Sequence, residues 1–311
     1  LWSSPIWQLA PPQRSALHIT EQAPAASSSP PMNEAERFYE IGGVRILVRA
    51  PYYEDSEILK PFRCADTAPD TVFDFRFSNG IRPSELPKMW EYAGTSYHSD
   101  GAYHETVVHG EGGILMKVCG DGRRSEVLFD AAHPDYFGAH VVLKALALPE
   151  LMLRYDALFL HASMVIYNGR AILFTADKQV GKSTQASLWE KHLGARIVNG
   201  DRALVRRHDG IWRAFGSPYC GTSSICNNAA ADIAAVVILG QAKETTIRRA
   251  GVREALQAMM SGVTYNVRSK TESESCLELC GRIVTELPFY RLDCTPDITA
   301  VNALLNAITE N

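Results

Sequence analysis

The chain has 311 residues, enough for two domains or for one large domain with an appendage. With 46% hydrophobic and 21% charged residues it is not a wholly disordered, collagen-like or coiled-coil chain. A formal net charge of −4 and the lack of a long basic run argue against nucleic acid or an anionic membrane surface as partner.

The seven cysteines, at 64, 119, 220, 226, 276, 280 and 294, are scattered and include no C-x-x-C pair, which fits a reducing cytoplasm. No apolar run reaches the roughly 18 residues a membrane helix needs, and the opening residues lack the charge and apolar pattern of a signal peptide. Residues 1–31 hold six of the sixteen prolines and only Arg14 and Glu21 as charges, so they are expected to be a disordered tail or a mis-assigned start. Patterned sequence begins at Met32.

From Phe38 the segments YEIGGVRILVRA, TVFDFRFS, YHETVVHG, GGILMKVCG and SEVLFDA alternate or cluster apolar residues between turn signals. They predict an antiparallel-rich β domain over 32–155. A helical pattern over Pro134–Arg154, broken or kinked at Pro149, leads out of it.

The second half, 156–311, reads as an α/β nucleotide-binding domain. LHASMVIY and RAILFTA flank Asn168-Gly169, a hairpin signal. A helix is expected from TQASLWEKHLG and a strand from ARIVN. Further on, GIWRAFG, AAVVILG and PFYRLDC read as strands, and VREALQAMMS, ESCLELCGRIVTEL and PDITAVNALLNAI as helices.

Between the second hairpin strand and the first of these helices lies Ala176-Asp177-Lys178-Gln179-Val180-Gly181-Lys182-Ser183-Thr184. This is a phosphate loop of the G-x-x-x-x-G-K-[ST] type with Ala176 in place of the first glycine. Backbone N–H groups at the helix start would face phosphate oxygens, Lys182 would neutralise them, and the Ser183 hydroxyl would ligate Mg²⁺. Nineteen residues beyond Lys182, Asp201 ends the next apolar segment, where a carboxylate can hold the metal. Asn199-Gly200-Asp201 equally supports an ordinary Asx turn. The strand leading to Asp201 is expected beside the loop's own strand. His161, at the start of the hairpin, is by itself more often a packed or capping residue.

The order His161, hairpin, Gly181-Lys182-Ser183-Thr184, short helix, strand, Asp201 resembles the nucleotide-binding domain of ATP-dependent PEP carboxykinases and of HPr kinase/phosphorylase. The motifs that carry the resemblance span about 156–205. It implies a mixed-sheet P-loop α/β fold, ATP with Mg²⁺ or Mn²⁺ as cofactors, and His161 and Asp201 as metal ligands or active-site polar groups beside Lys182 and Ser183. It also implies phosphoryl transfer to a hydroxyl, with a protein or peptide as acceptor, and leaves a homo-oligomer open.

Gly200-Asp201 stands where the family has two consecutive acidic residues, so the sequence identifies no general base. Asp177-Lys178-Gln179 replace the small residues usual in the loop. Nothing matches the carboxykinases' substrate-binding arginine segment, so full carboxykinase activity is not expected. Two other readings stay open: a nucleotide-binding regulator without phosphotransfer, and a small-molecule kinase.

Weaker candidates are the small-residue loop Gly216–Ser224 as an acceptor pocket and Arg248, Arg249 and Arg253 as phosphate contacts. The set His98, His104 and His109 matches no zinc spacing, and Cys276 and Cys280 share a helix face better suited to core packing.

Overall fold

The computed structural model describes residues 34–51, 53–92, 94–109, 114–118, 122–177, 180–265 and 269–309. The tail expected over 1–31 and the loop residues Lys178 and Gln179 lie outside them. The described residues form a mixed α/β protein with an eight-stranded and a nine-stranded sheet.

The first sheet contains β1 (Glu34–Ile41), β2 (Val44–Pro51), β3 (Thr71–Ser78), β4 (Lys88–Tyr92), β5 (Thr95–Ser99), β6 (His104–Val108), β7 (Ile114–Val118) and β8 (Arg124–Asp130). Their order is β1-β2-β3-β8-β7-β6-β5-β4. Most pairs are antiparallel, as expected. The pairs β2–β3 and β3–β8 are parallel, because each is joined by a long connection and not by a hairpin. The helical stretch that follows is broken, as one of the two expected outcomes had it, but at Ala147 and not at Pro149. It splits into α1 (Ala139–Ala145) and α2 (Leu148–Leu153), with Ala147 between them in a left-handed conformation at φ 44°. Pro149 sits in the first turn of α2, where no intrahelical N–H is needed.

The second sheet contains β9 (Ala157–Tyr167), β10 (Arg170–Thr175), β11 (Arg196–Asn199), β12 (Arg202–His208), β13 (Ile211–Phe215), β14 (Ala230–Gln241), β15 (Thr246–Arg249), β16 (Val263–Thr264) and β17 (Phe289–Cys294). The helices are α3 (Lys182–Leu193), α4 (Val252–Gly262), α5 (Lys270–Glu286) and α6 (Ile298–Thr309). Strands β10, β14 and β17 run parallel, so their C-terminal ends share one edge of the sheet.

These strands are apolar on both faces because both are covered. Along β10, Ala171 and Leu173 pack toward α4 and α5 with Ala255, Met259, Cys280 and Ile283, while Ile172 and Phe174 pack toward α3 and α6 with Trp189, Val301 and Leu304. The alternation along β14 is the same: Val236 and Ile238 face one layer, Val237 and Leu239 the other. Continuous runs such as AAVVIL follow from this two-sided burial.

The expected division at 155/156 falls between α2 and β9, and a hydrophobic core crosses it. Tyr39, Ile41, Val44 and Phe75 of the first sheet share one cluster with Phe159, Leu204 and Phe215 of the second. Arg206 Nη1 also reaches across to donate to Gly42 O at the β1–β2 turn, at 2.8 Å.

Trp189 is 0% exposed at the centre of the α3 layer. Replacing it with Ala is expected to lower the unfolding free energy by ~3–5 kcal/mol. Met89→Ala, at a side chain 57% exposed, should stay within about 0.5 kcal/mol of wild type in the same urea titration.

Candidate functional site

The site is assembled on β9. One edge of this strand pairs with β16 at Phe159–Leu160 and with β10 at Ala162–Tyr167. The other edge pairs with β12 at Ala157–His161 and with β11 at Met164–Ile166. His161 is therefore not at a strand start, as the apolar pattern suggested, but in mid-strand where both edges change partner. The strand after the loop helix lies beside β9 and not beside β10, the loop's own strand.

Strands β11 and β12 form one antiparallel run along β9, interrupted at Gly200-Asp201. The pairing resumes in the same register beyond it, Asn199 opposite Met164 and Arg202 opposite His161, so no residue is inserted there. Ser163 Oγ holds the interruption by donating to Gly200 O at 3.0 Å. The Asx turn allowed by the sequence is made by Asn199, whose Oδ1 accepts from Asp201 N at 2.9 Å and Arg202 N at 2.7 Å. The Asp201 carboxylate is thus left for other partners.

Those partners are His161 and Arg202. His161 Nε2 lies 3.2 Å from Asp201 Oδ1, and Arg202 Nη1 donates to Asp201 Oδ2 at 2.8 Å. Burial works to raise the Asp201 carboxyl, but the His161 hydrogen bond and the charges of Arg202 and Lys182 outweigh it and hold it below the usual aspartate value. For Lys182, burial dominates and pushes the ammonium below the ordinary lysine range; Arg202 acts in the same direction, and Asp201 and Asp177 oppose it. Lys182, Asp201 and Arg202 are therefore within electrostatic reach of one another.

The loop arrives from β10. Ala176 and Val180 are half-buried against the α3 layer, and Asp177 is exposed. Gly181 caps α3 at φ 123°, a conformation that favours glycine. The hydrogen bond Gln185 N to Gly181 O, at 2.9 Å, is the first of the helix, so the N–H groups of Lys182, Ser183 and Thr184 have no helical acceptor. Lys182 is half-buried, while Ser183 and Thr184 are exposed.

The small-residue loop after β13 folds onto Asp201. Asn199 Nδ2 donates to Ser217 O at 3.0 Å and Tyr219 O at 3.3 Å, and Gly221–Ser223 form a short 3-10 turn. A Cβ on Gly221 would lie 2.7 Å from Asp201 Cγ. A Cβ on Gly200 would lie 1.9 Å from Ser223 Oγ and 2.5 Å from Ser223 Cβ. The absence of a second acidic residue is therefore built into the packing: Ser223 fills the space that a side chain at 200 would need.

Of the weaker candidates, only this loop is at the site. Arg248 makes a two-pronged ion pair with Glu254 at 2.8 and 3.0 Å, Arg249 stacks over Tyr290, and Arg253 is exposed. His98 and His109 share the Ser96 hydroxyl, and His104 bonds Tyr97 and Ser99. Cys276 and Cys280 are buried in the layer under α5. Sequence reasoning missed Arg202 and Thr264. Arg202 Nε donates to Thr264 Oγ1 at 3.1 Å, a contact across 62 residues that no local pattern announces.

No family model matches the chain, and no curated protein matches it. Among solved structures it is similar to the Hpr(Ser) kinase/phosphatase from Coxiella burnetii, at 9% identity and a TM-score of 0.30, over 49% of this chain and 91% of that one. A likeness of that size carries no conclusion about this chain. The site is read from its own geometry.

Gly200→Ala is expected to destabilise the protein by ~1–3 kcal/mol through overpacking against Ser223. A double-mutant cycle with Ser223→Gly should recover about 1 kcal/mol of that loss, and strict additivity would show that the two positions do not collide.

Proposed function

We propose that the chain is an ATP-dependent phosphotransferase that moves the γ-phosphoryl group to a hydroxyl of a protein or peptide. The observation that carries the reading is the placement of the His161–Asp201 pair, 3.2 Å apart, beside the end of β10: Thr175 there pairs with Ala162 and its hydroxyl donates to His161 O at 3.1 Å, and Lys182 opens the helix that follows. The acceptor class comes from the sequence resemblance alone.

In this reading the free N–H groups of Lys182, Ser183 and Thr184 face the phosphates of the nucleotide, with the helix dipole behind them. Burial disfavours Lys182 as a cation, and phosphate oxygens beside it would favour the charged form. A magnesium ion brought in on the nucleotide needs mainly oxygen donors and few from the protein, so the Asp201 carboxylate and the Ser183 hydroxyl fit it. When bound, the ion would supply positive charge that neutralises the phosphoryl oxygens. His161 orients Asp201 Oδ1, and Arg202 holds Oδ2. Phosphoryl transfer depends mostly on positioning and charge neutralisation, so one carboxylate suffices.

One observation favours a second reading, a nucleotide-binding regulator without transfer: the packing at Gly200 leaves no room for another acidic side chain. Calorimetry and phosphate release with ATP and Mg²⁺ or Mn²⁺, together with transfer to hydroxyl-bearing peptides, separate the two. For a kinase, Lys182→Ala should weaken ATP binding by at least about tenfold, with Asp201→Asn and His161→Ala keeping most binding but losing turnover by about 100-fold or more. Tight binding by wild type with no turnover on any acceptor would support the regulator. A Lys182→Ala protein that turns over like wild type would refute the kinase.

A further inference from the structure

Arg202 lies outside the motif that pointed to the phosphate loop, yet the fold fixes it more firmly than any other cation at the site. Its backbone is held at both ends: its N–H donates to Asn199 Oδ1 at 2.7 Å, and its carbonyl accepts from Ser217 Oγ at 2.5 Å. In the β9–β12 ladder it is directly opposite His161, so the two side chains leave the sheet on the same face. The guanidinium is fixed as well, through Nη1 on Asp201 Oδ2 and Nε on Thr264 Oγ1, with the Tyr219 ring 6.0 Å from Cζ.

Two corners of the planar fork are thus anchored, and Nη2 has no hydrogen-bond partner among the described residues. The side chain is 28% exposed, so the group is neither buried nor loose. Arg202 and Lys182 are like charges that disfavour each other, an effect offset at Lys182 by Asp201 and the exposed Asp177. An anion with several oxygens beside both would relieve that repulsion. A planar, permanently charged fork suits a phosphoryl group better than a lysine would.

We propose that Arg202 is a catalytic residue whose guanidinium neutralises the charge on the phosphoryl group in flight. This rests on the phosphotransfer reading. The bond from the γ-phosphorus to the β–γ bridging oxygen breaks, and its electron pair leaves on ADP. The bond from the acceptor oxygen to phosphorus forms, and the acceptor's proton passes to solvent water. Arg202 neither takes nor gives a proton and acts by charge alone. Because it is anchored before substrate arrives, it needs no reorganisation when that charge develops.

Binding of ADP and Mg²⁺, with and without aluminium fluoride as a stand-in for the planar phosphoryl group, tests this without knowledge of the acceptor. In wild type, aluminium fluoride should tighten ADP binding by about 100-fold or more. In Arg202→Ala, plain ADP should bind within about threefold of wild type while the tightening falls below about tenfold, and millimolar guanidinium ion should restore part of it. Arg202→Lys should recover little, since the fork is lost.

Full tightening in Arg202→Ala would overturn the proposal. So would ADP binding by wild type without any tightening. Loss of plain ADP binding in both Arg202 variants would make Arg202 a strut for Asp201 and overturn the catalytic role. Failure of wild type to bind nucleotide at all would remove the phosphotransfer reading itself, a result distinct from the others.

Discussion

The Asn199 side chain, 0% exposed, is where the two halves of the candidate site meet. Its Oδ1 accepts from the backbone N–H groups of Asp201 and Arg202 and so fixes the chain where β12 begins, and its Nδ2 ties down the loop that lies over them. A buried amide is costly unless its hydrogen bonds are made, and here the partners are backbone groups from segments some twenty positions apart. The turn and the covering loop therefore form together. Neither has an alternative that keeps this amide satisfied.

That constraint explains the departure from a two-carboxylate site. The covering loop comes so close that Ser223 occupies the room beside Gly200 and Gly221 rests on the Asp201 carboxylate. Asp201 is left with an N–H donor at each oxygen, His161 at Oδ1 and Arg202 at Oδ2.

How much of this was legible in the sequence depended on how local the cause is. The strand, glycine and lysine of the phosphate loop are neighbours in the chain, so their pattern predicted β10 and α3 directly. The Asx turn at Asn199 was visible for the same reason. Strand β12 was missed because ALVRRH mixes apolar and basic residues; its Arg206 is drawn to Gly42 and Tyr155 in distant segments. Strand β5 was missed because Thr95, Ser96 and His98 are buried polar residues, which no hydrophobic pattern shows. The loop over Asp201 read as an ordinary connection, since glycine and serine signal a turn equally well whether or not a carboxylate lies beneath it.

The hairpin tip between β1 and β2 has a further consequence. Gly42 lies so close to Leu204 that a Cβ there would come within 2.1 Å of Leu204 Cδ2, and Leu204 is two residues from Arg202 on the same strand. The first sheet thus presses on the strand that presents the guanidinium. A change of side chain at the hairpin tip is therefore felt first at Leu204, on the strand that carries Arg202.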